Sequence, residues 1–80
     1  MSSSAAKDLV EYVVTSLVDH PDQVQVTEID EGQTMVIEVR VAESDMGRVI
    51  GRRGSVVNSM RTLLQVPGYR KGKRIQLEIV

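Results

Sequence analysis

Cysteine, tryptophan and phenylalanine are absent from this chain of 80 residues, and Tyr12 and Tyr69 are its only aromatic side chains. Without cysteine there is neither a disulfide framework nor a thiolate metal site, which suits a reducing compartment. No apolar run approaches the ~18 residues that a membrane-spanning helix needs. The opening Met1-Ser2-Ser3-Ser4-Ala5-Ala6 has neither the charged region nor the apolar stretch of a signal peptide. Residues 1–5 are therefore expected to be a disordered N-terminal tail, and residues 6–80 a single small domain. A domain of this size buries a modest fraction of its surface, so its stability depends on good packing or on a partner.

The net charge of −1 hides a strong asymmetry. Residues 1–45 carry ten acidic side chains against only Lys7 and Arg40. Residues 46–80 carry eight basic ones (Arg48, Arg52, Arg53, Arg61, Arg70, Lys71, Lys73, Arg74) against only Glu78. Mutual attraction of the halves is one reading. The crowding of cations around one turn and one loop favours the other, a negatively charged partner.

Leu9, Val10, Val13, Val14, Leu17 and Val18 recur at helical spacing, which predicts an amphipathic helix over 7–19 ended by His20-Pro21. Residues 24–29 read as a short strand and 30–33 as a turn. Thr34 to Val41 is the clearest strand, with Met35, Ile37, Val39 and Val41 on one face. Those two strands form an expected hairpin. Ser44 is a good N-cap for a short helix over 45–50, and Asp45 suits its positive end. A further helix over 55–65 buries Val56, Val57, Met60, Leu63 and Leu64, with Asn58, Arg61 and Thr62 outward. Pro67-Gly68 stops it, residues 69–73 read as a basic loop, and residues 74–80 alternate as a last strand. The order α-β-β-α-α-β implies an α+β fold, a three-stranded sheet with helices packed on one face.

Between the two later helices lies Gly51-Arg52-Arg53-Gly54. Glycine at both ends permits positive φ and removes bulk, so a ligand backbone can approach closely. The second glycine leads into a helix whose first N–H groups lack internal partners and attract an anion. Arg52 and Arg53 add forked donors that match phosphate oxygens, and Ser55 adds a hydroxyl. Arg48, Lys73 and Arg74 extend the basic track. Two glycines three apart are common, and a tight structural corner is the bland alternative. Two adjacent like charges are not needed for a corner.

The remaining chemistry is thin. Asp19-His20-Pro21-Asp22 reads as a helix end rather than a metal or acid–base site, and Asp30-Glu31-Gly32 as a solvated turn. Tyr69 reads as packing rather than base stacking. Met35, Met46 and Met60 read as core. No serine has a base partner, so no enzymatic activity and no cofactor are expected.

The stretch Met46-Gly47-Arg48-Val49-Ile50-Gly51-Arg52-Arg53-Gly54 resembles the V-I-G-x-x-G element of KH domains, and the element order resembles their type II arrangement. Leu9 to Val14 and Leu17 to Asp22 are similar to the small stand-alone bacterial KH proteins of the KhpA family, and the likeness spans residues 6–80. The resemblance implies a cytoplasmic RNA-binding protein whose GxxG loop clamps about four nucleotides of backbone against an apolar groove. It assigns the clamp to Gly51, Arg52, Arg53 and Gly54, and the adjoining core and groove wall to Val49 and Ile50. It also implies self-association or a heterodimer with a larger KH-containing partner of the KhpB or Jag type. The Val66-Pro67-Gly68-Tyr69 segment departs from the usual pattern and stiffens the loop before the last strand.

The aromatic poverty agrees with this. RNA recognition motifs and OB-folds stack bases on sheet aromatics, and none are present here. An aliphatic groove implies micromolar affinity and a shallow salt dependence. The expected function is therefore clamping of single-stranded RNA, as an RNA chaperone or a subunit of an RNA-binding complex. The rival from another class is a protein-interaction module with little RNA affinity; a second rival binds single-stranded DNA through the same phosphates.

Overall fold

A computed structural model describes residues 5–70 and 72–80, without the side chains at 67 and 68. The order is α1 (Ala5–Leu17), β1 (Gln25–Glu31), β2 (Thr34–Arg40), α2 (Met46–Ile50), α3 (Ser55–Leu64), α4 (Pro67–Arg70) and β3 (Arg74–Ile79). This is the expected α+β arrangement with three main helices. The tail expected over 1–5 lies outside the described residues at positions 1–4, and Ala5 already opens α1.

The sheet has the order β1-β2-β3. β1 and β2 form the expected antiparallel hairpin, with Ile29 opposite Val36. β3 lies parallel to β2, with Ile37 beside Leu77. A parallel neighbour cannot be reached by a tight turn, so the chain must cross over one face of the sheet. That crossover is α2 and α3, and the Gly51–Gly54 turn is its midpoint.

The core follows the period-two pattern of the strands. Val26, Ile37, Val39, Val41, Ile75 and Leu77 meet Ala6, Val10 and Val14 of α1, Val49 of α2, and Val57, Met60 and Leu64 of α3. The buried stripe of α1 follows a four-residue step through Ala6, Val10 and Val14. Leu17 falls to the side of that stripe and stays exposed, contrary to the expectation from its spacing. On α3, Leu63 is likewise exposed and Val56 half-buried. Val36 is buried although it lies on the opposite face of β2, where Ile29 and Gln76 flank it in register.

Two other local expectations are corrected. Neither Ser44 nor Asp45 makes a side-chain cap on the helix that follows. Asp45 instead turns inward and is 1 % exposed. Its carboxylate accepts the backbone N–H of Asp19 at 3.1 Å, that of His20 at 3.0 Å and the His20 ring Nδ1–H at 3.2 Å. A buried charge is tolerated when its lone pairs are filled in this way. The histidine of Asp19-His20-Pro21-Asp22 is thus held structurally, and among the described residues no cluster could hold a metal. The loop expected over 69–73 opens instead with the one-turn helix α4, whose Tyr69 packs against the core. Proline suits the first position of a helix, where its missing N–H would go unpaired anyway.

Burial works against the charge on Asp45, but the donors from Asp19 and His20 outweigh it and hold its pKa below the usual aspartate range. A carboxylate whose pKa is lower folded than unfolded adds stability above its unfolded value, and that stability is lost as pH falls through the folded one. Asp45→Asn therefore melts several degrees below the natural protein at neutral pH. The gap closes as pH drops below about 4, the ordinary aspartate value. Thermal melts followed by circular dichroism across that range check both statements. In the same assay at neutral pH, Ile37→Ala costs about 3 kcal/mol as a fully buried position, whereas Leu17→Ala costs well under about 1 kcal/mol.

Candidate nucleic-acid interface

The turn between α2 and α3 is built from three backbone exceptions, one before Arg52 and two after it. Gly51 ends α2 with φ 79° and ψ 171°. Arg53 sits in the left-handed region at φ 56° and ψ 29°, and Gly54 follows at φ 76° and ψ 15°. The Gly51 N–H closes α2 on Gly47 O at 2.9 Å, and the Gly54 N–H returns to Gly51 O at 3.1 Å. A left-handed non-glycine residue costs about 1–2 kcal/mol, and such residues collect where function over-determines the backbone.

The two glycines do different work. A Cβ on Gly51 would fall 2.6 Å from Val56 Cγ2 and 2.8 Å from the Val56 backbone nitrogen. Gly51 is thus pressed against the first turn of α3. A Cβ on Gly54 would meet nothing closer than Asn58 Nδ2 at 3.4 Å, an ordinary contact, so conformation alone requires glycine there. Gly54 in the left-handed region followed by helical Ser55 makes successive N–H groups converge, a concavity suited to an anion. Ser55 itself is exposed at the start of α3.

Arg52 and Arg53 are exposed and make no ion pair among the described residues. Ile50 lies beside them, 36 % exposed, while Val49 is wholly buried and serves the core behind the turn. The other cations singled out in the sequence are less available. Arg48 faces Asp19 at 3.2 Å. Lys73 Nζ lies 2.7 Å from Asp30 Oδ2 and ties the last loop to the β1–β2 hairpin. That ammonium, together with the Gly32 N–H, holds the Asp30 carboxyl below its ordinary pKa. Arg74 starts β3, its backbone N–H on Gln33 O at 2.9 Å. Its side chain is exposed beside Arg70 and Lys73 around a cavity of about 380 Å³.

A groove of about 470 Å³ runs between α3 and the open edge of β3, lined by Arg61, Thr62, Gln65 and residues 75–78. Sequence reasoning placed Arg61 on a solvent face and did not single out Gln65. In the fold, Arg61 Nη2 donates to Leu77 O at 3.1 Å and Gln65 Nε2 to Ile75 O at 3.0 Å. Arg61 Nη1 also donates to Asn58 Oδ1 at 3.1 Å. The only legible signal was their four-residue spacing on one helical face.

Comparison with known proteins gives the family. A family model described as "KhpA/KhpB, KH domain" matches residues 7–79. The RNA-binding protein KhpA of Aquifex aeolicus is 47% identical over 77 residues, covering 96% of this chain and 98% of that protein. The RNA-binding protein KhpA of Clostridium acetobutylicum is 40% identical over 74 residues, covering 92% and 99%. That of Bacillus subtilis is 35% identical over 79 residues, covering 99% and 98%. No solved structure matches at comparable significance. The chain belongs to the KhpA/KhpB KH-domain family.

The turn makes an ordered set of predictions for thermal unfolding. Gly51→Ala is the most damaging change, because the added methyl meets backbone as well as a disfavoured φ. Gly54→Ala costs about 1–2 kcal/mol, and Gly54→Asn less, since asparagine tolerates the left-handed region. Arg53→Gly raises stability by up to about 1 kcal/mol, as the relief of left-handed strain exceeds the added chain entropy.

Proposed function

We propose that this KH domain, residues 6–80, binds single-stranded RNA by clamping its sugar–phosphate backbone at Gly51–Gly54. The observation that carries the reading is the turn itself: Arg52 and Arg53 exposed and free of ion pairs among the described residues, on a backbone held in an anion-accepting shape. The relatives' name, RNA-binding protein KhpA, supports the same reading. Phosphate oxygens lie over the N–H groups at the start of α3, with the two guanidiniums on either side. Ile50 and the Ser55 hydroxyl border the clamp. Arg48 and the Lys73–Arg74 region act at longer range, and their partners Asp19 and Asp30 temper that contribution.

Binding rather than catalysis fits the engaged state of the His20–Asp45 pair, whose carboxylate is filled by three donors. No helix among the described residues is long and apolar enough to cross a membrane, and a cytoplasmic site of action is part of the proposal. So is a role as RNA chaperone or as subunit of a larger complex. A family model that spans both KhpA and KhpB supports a second KH-containing chain as protein partner, in a homodimer or heterodimer. The exposed Leu63 and Val66 at the end of α3 are apolar surface available to such a partner.

The test is fluorescence anisotropy of a labelled single-stranded RNA with the natural protein and with Arg52→Asp/Arg53→Asp. Circular dichroism verifies that both fold, and light scattering reports oligomer size. The expected outcome is micromolar binding by the natural protein and at least a tenfold loss in the variant, about 1.4 kcal/mol, at unchanged oligomer size. Equal binding by both proteins removes the turn from the interface. Matched DNA oligonucleotides show whether the ribose contributes.

A further inference from the structure

We infer that Ser55 is a phosphorylation site whose phosphate occupies the Gly51–Gly54 turn and shuts it against RNA. That the serine accepts phosphate stands on the chemistry of the turn itself. That the phosphate blocks RNA rests on the RNA-binding reading above.

The sequence sets Ser55 two positions after Arg53 and three after Arg52. That spacing lets a protein kinase with acidic pockets grip both guanidiniums while the hydroxyl enters its active site. No carboxylate occurs between Asp45 and Glu78 to spoil the charge pattern. Both arginines are exposed and make no ion pair among the described residues, so the recognition element is free. The hydroxyl is free as well. Thr15, Ser16, Ser59 and Thr62 each donate to a helix carbonyl four residues back. Ser55, exposed in the first turn of α3, makes no such bond. Ser44 is exposed too, but Glu43 and Asp45 flank it and repel a phosphate. Two backbone bonds close the turn, Gly54 N–H to Gly51 O and Ser55 N–H to Arg52 O, so little holds it against opening into a kinase's substrate groove.

The step transfers the γ-phosphoryl group of ATP to Ser55 Oγ. The Oγ–P bond forms as the bond from the γ-phosphorus to the β,γ-bridging oxygen breaks. The hydroxyl proton passes to the kinase's catalytic carboxylate, and ADP leaves. In the folded domain the new group has a place to go. Ser55 Oγ lies 3.0 Å from where a Cβ on Gly51 would be, so it faces the turn. A phosphate there meets the positive end of α3 and the two arginines just before it. Its charge, about −1.5 to −2 at neutral pH, cancels that of the arginine pair. The surface that attracts a phosphodiester is then locally neutral and already filled.

The experiment uses the full chain. The natural protein, Ser55→Ala and Arg52→Gln/Arg53→Gln are incubated with ATP and an arginine-directed serine kinase, and mass spectrometry counts and locates the phosphate. Ser55→phosphoserine is also made during translation, which bypasses the kinase, and is compared with the natural protein in thermal melts and in anisotropy with labelled oligouridylate. The natural protein is expected to take one phosphate at Ser55, and the two variants none at that position. Ser55→phosphoserine is expected to melt a few degrees higher at low salt, with the gain lost at high salt, and to bind RNA about tenfold more weakly or worse. No incorporation at Ser55 of the natural protein overturns the inference. So does RNA binding by Ser55→phosphoserine as tight as that of the natural protein. A lower melting temperature or a failure to fold overturns it too, because the turn then does not accommodate the phosphate. If the unmodified protein binds no RNA, the RNA-binding reading falls and the blocking role with it, while incorporation and the melting shift still decide whether Ser55 is a site.

Discussion

The contact between Gly51 and the first turn of α3 is the constraint on which the arrangement depends. The backbone of the turn approaches the Val56 nitrogen so closely that one methyl group would collide with it. This proximity sets the path from α2 into α3, buries Val49 and Val57 on the same core, and leaves the two arginines nowhere to go but outward. Exposed like charges, one of them on the strained Arg53, then follow from geometry. A structural corner could be turned at lower cost, which is the ground for the proposed role of the arginine pair.

Behind the turn, the sheet and Asp45 act as the frame. The parallel placement of β3 against β2 forces the α2–α3 crossover to one face and brings α3 alongside an open sheet edge. The groove is the space left between them. Asp45 fastens the chain after α1 to the start of α2, so the acidic N-terminal half is tied to the element that presents the basic turn. Lys73 and Asp30 join the halves again at the far end of the sheet. The opposed charges of the two halves thus serve partly as internal fasteners, while Arg52 and Arg53 stay exposed for the proposed contact with a partner.

What could be read in the sequence was what repeats locally. The alternation of Met35, Ile37, Val39 and Val41 announced β2, the valine periodicity announced α1, and the glycines around Arg52-Arg53 announced the turn. What could not be read was held by partners distant in sequence. Asp45 looked like a helix-end residue because its donors lie 25 and 26 residues away. Lys73 looked available because Asp30 is 43 residues away. Arg61 looked solvated because the Leu77 carbonyl, 16 residues on, reaches it only after β3 docks. The short helix α4 was hidden by Pro67-Gly68, a pair that more often marks a stop.

The left-handed Arg53 has a consequence in time as well as in energy. Its conformational cost is incurred once, when the domain folds, and not again at each encounter with a ligand. A loop already in its receiving shape needs no rearrangement before contact, so encounter is governed by diffusion and by the field of the two guanidiniums. Differences among ligands then appear in how long each one stays. On the proposed reading, such a domain samples many strands quickly and lingers only where neighbouring contacts hold it.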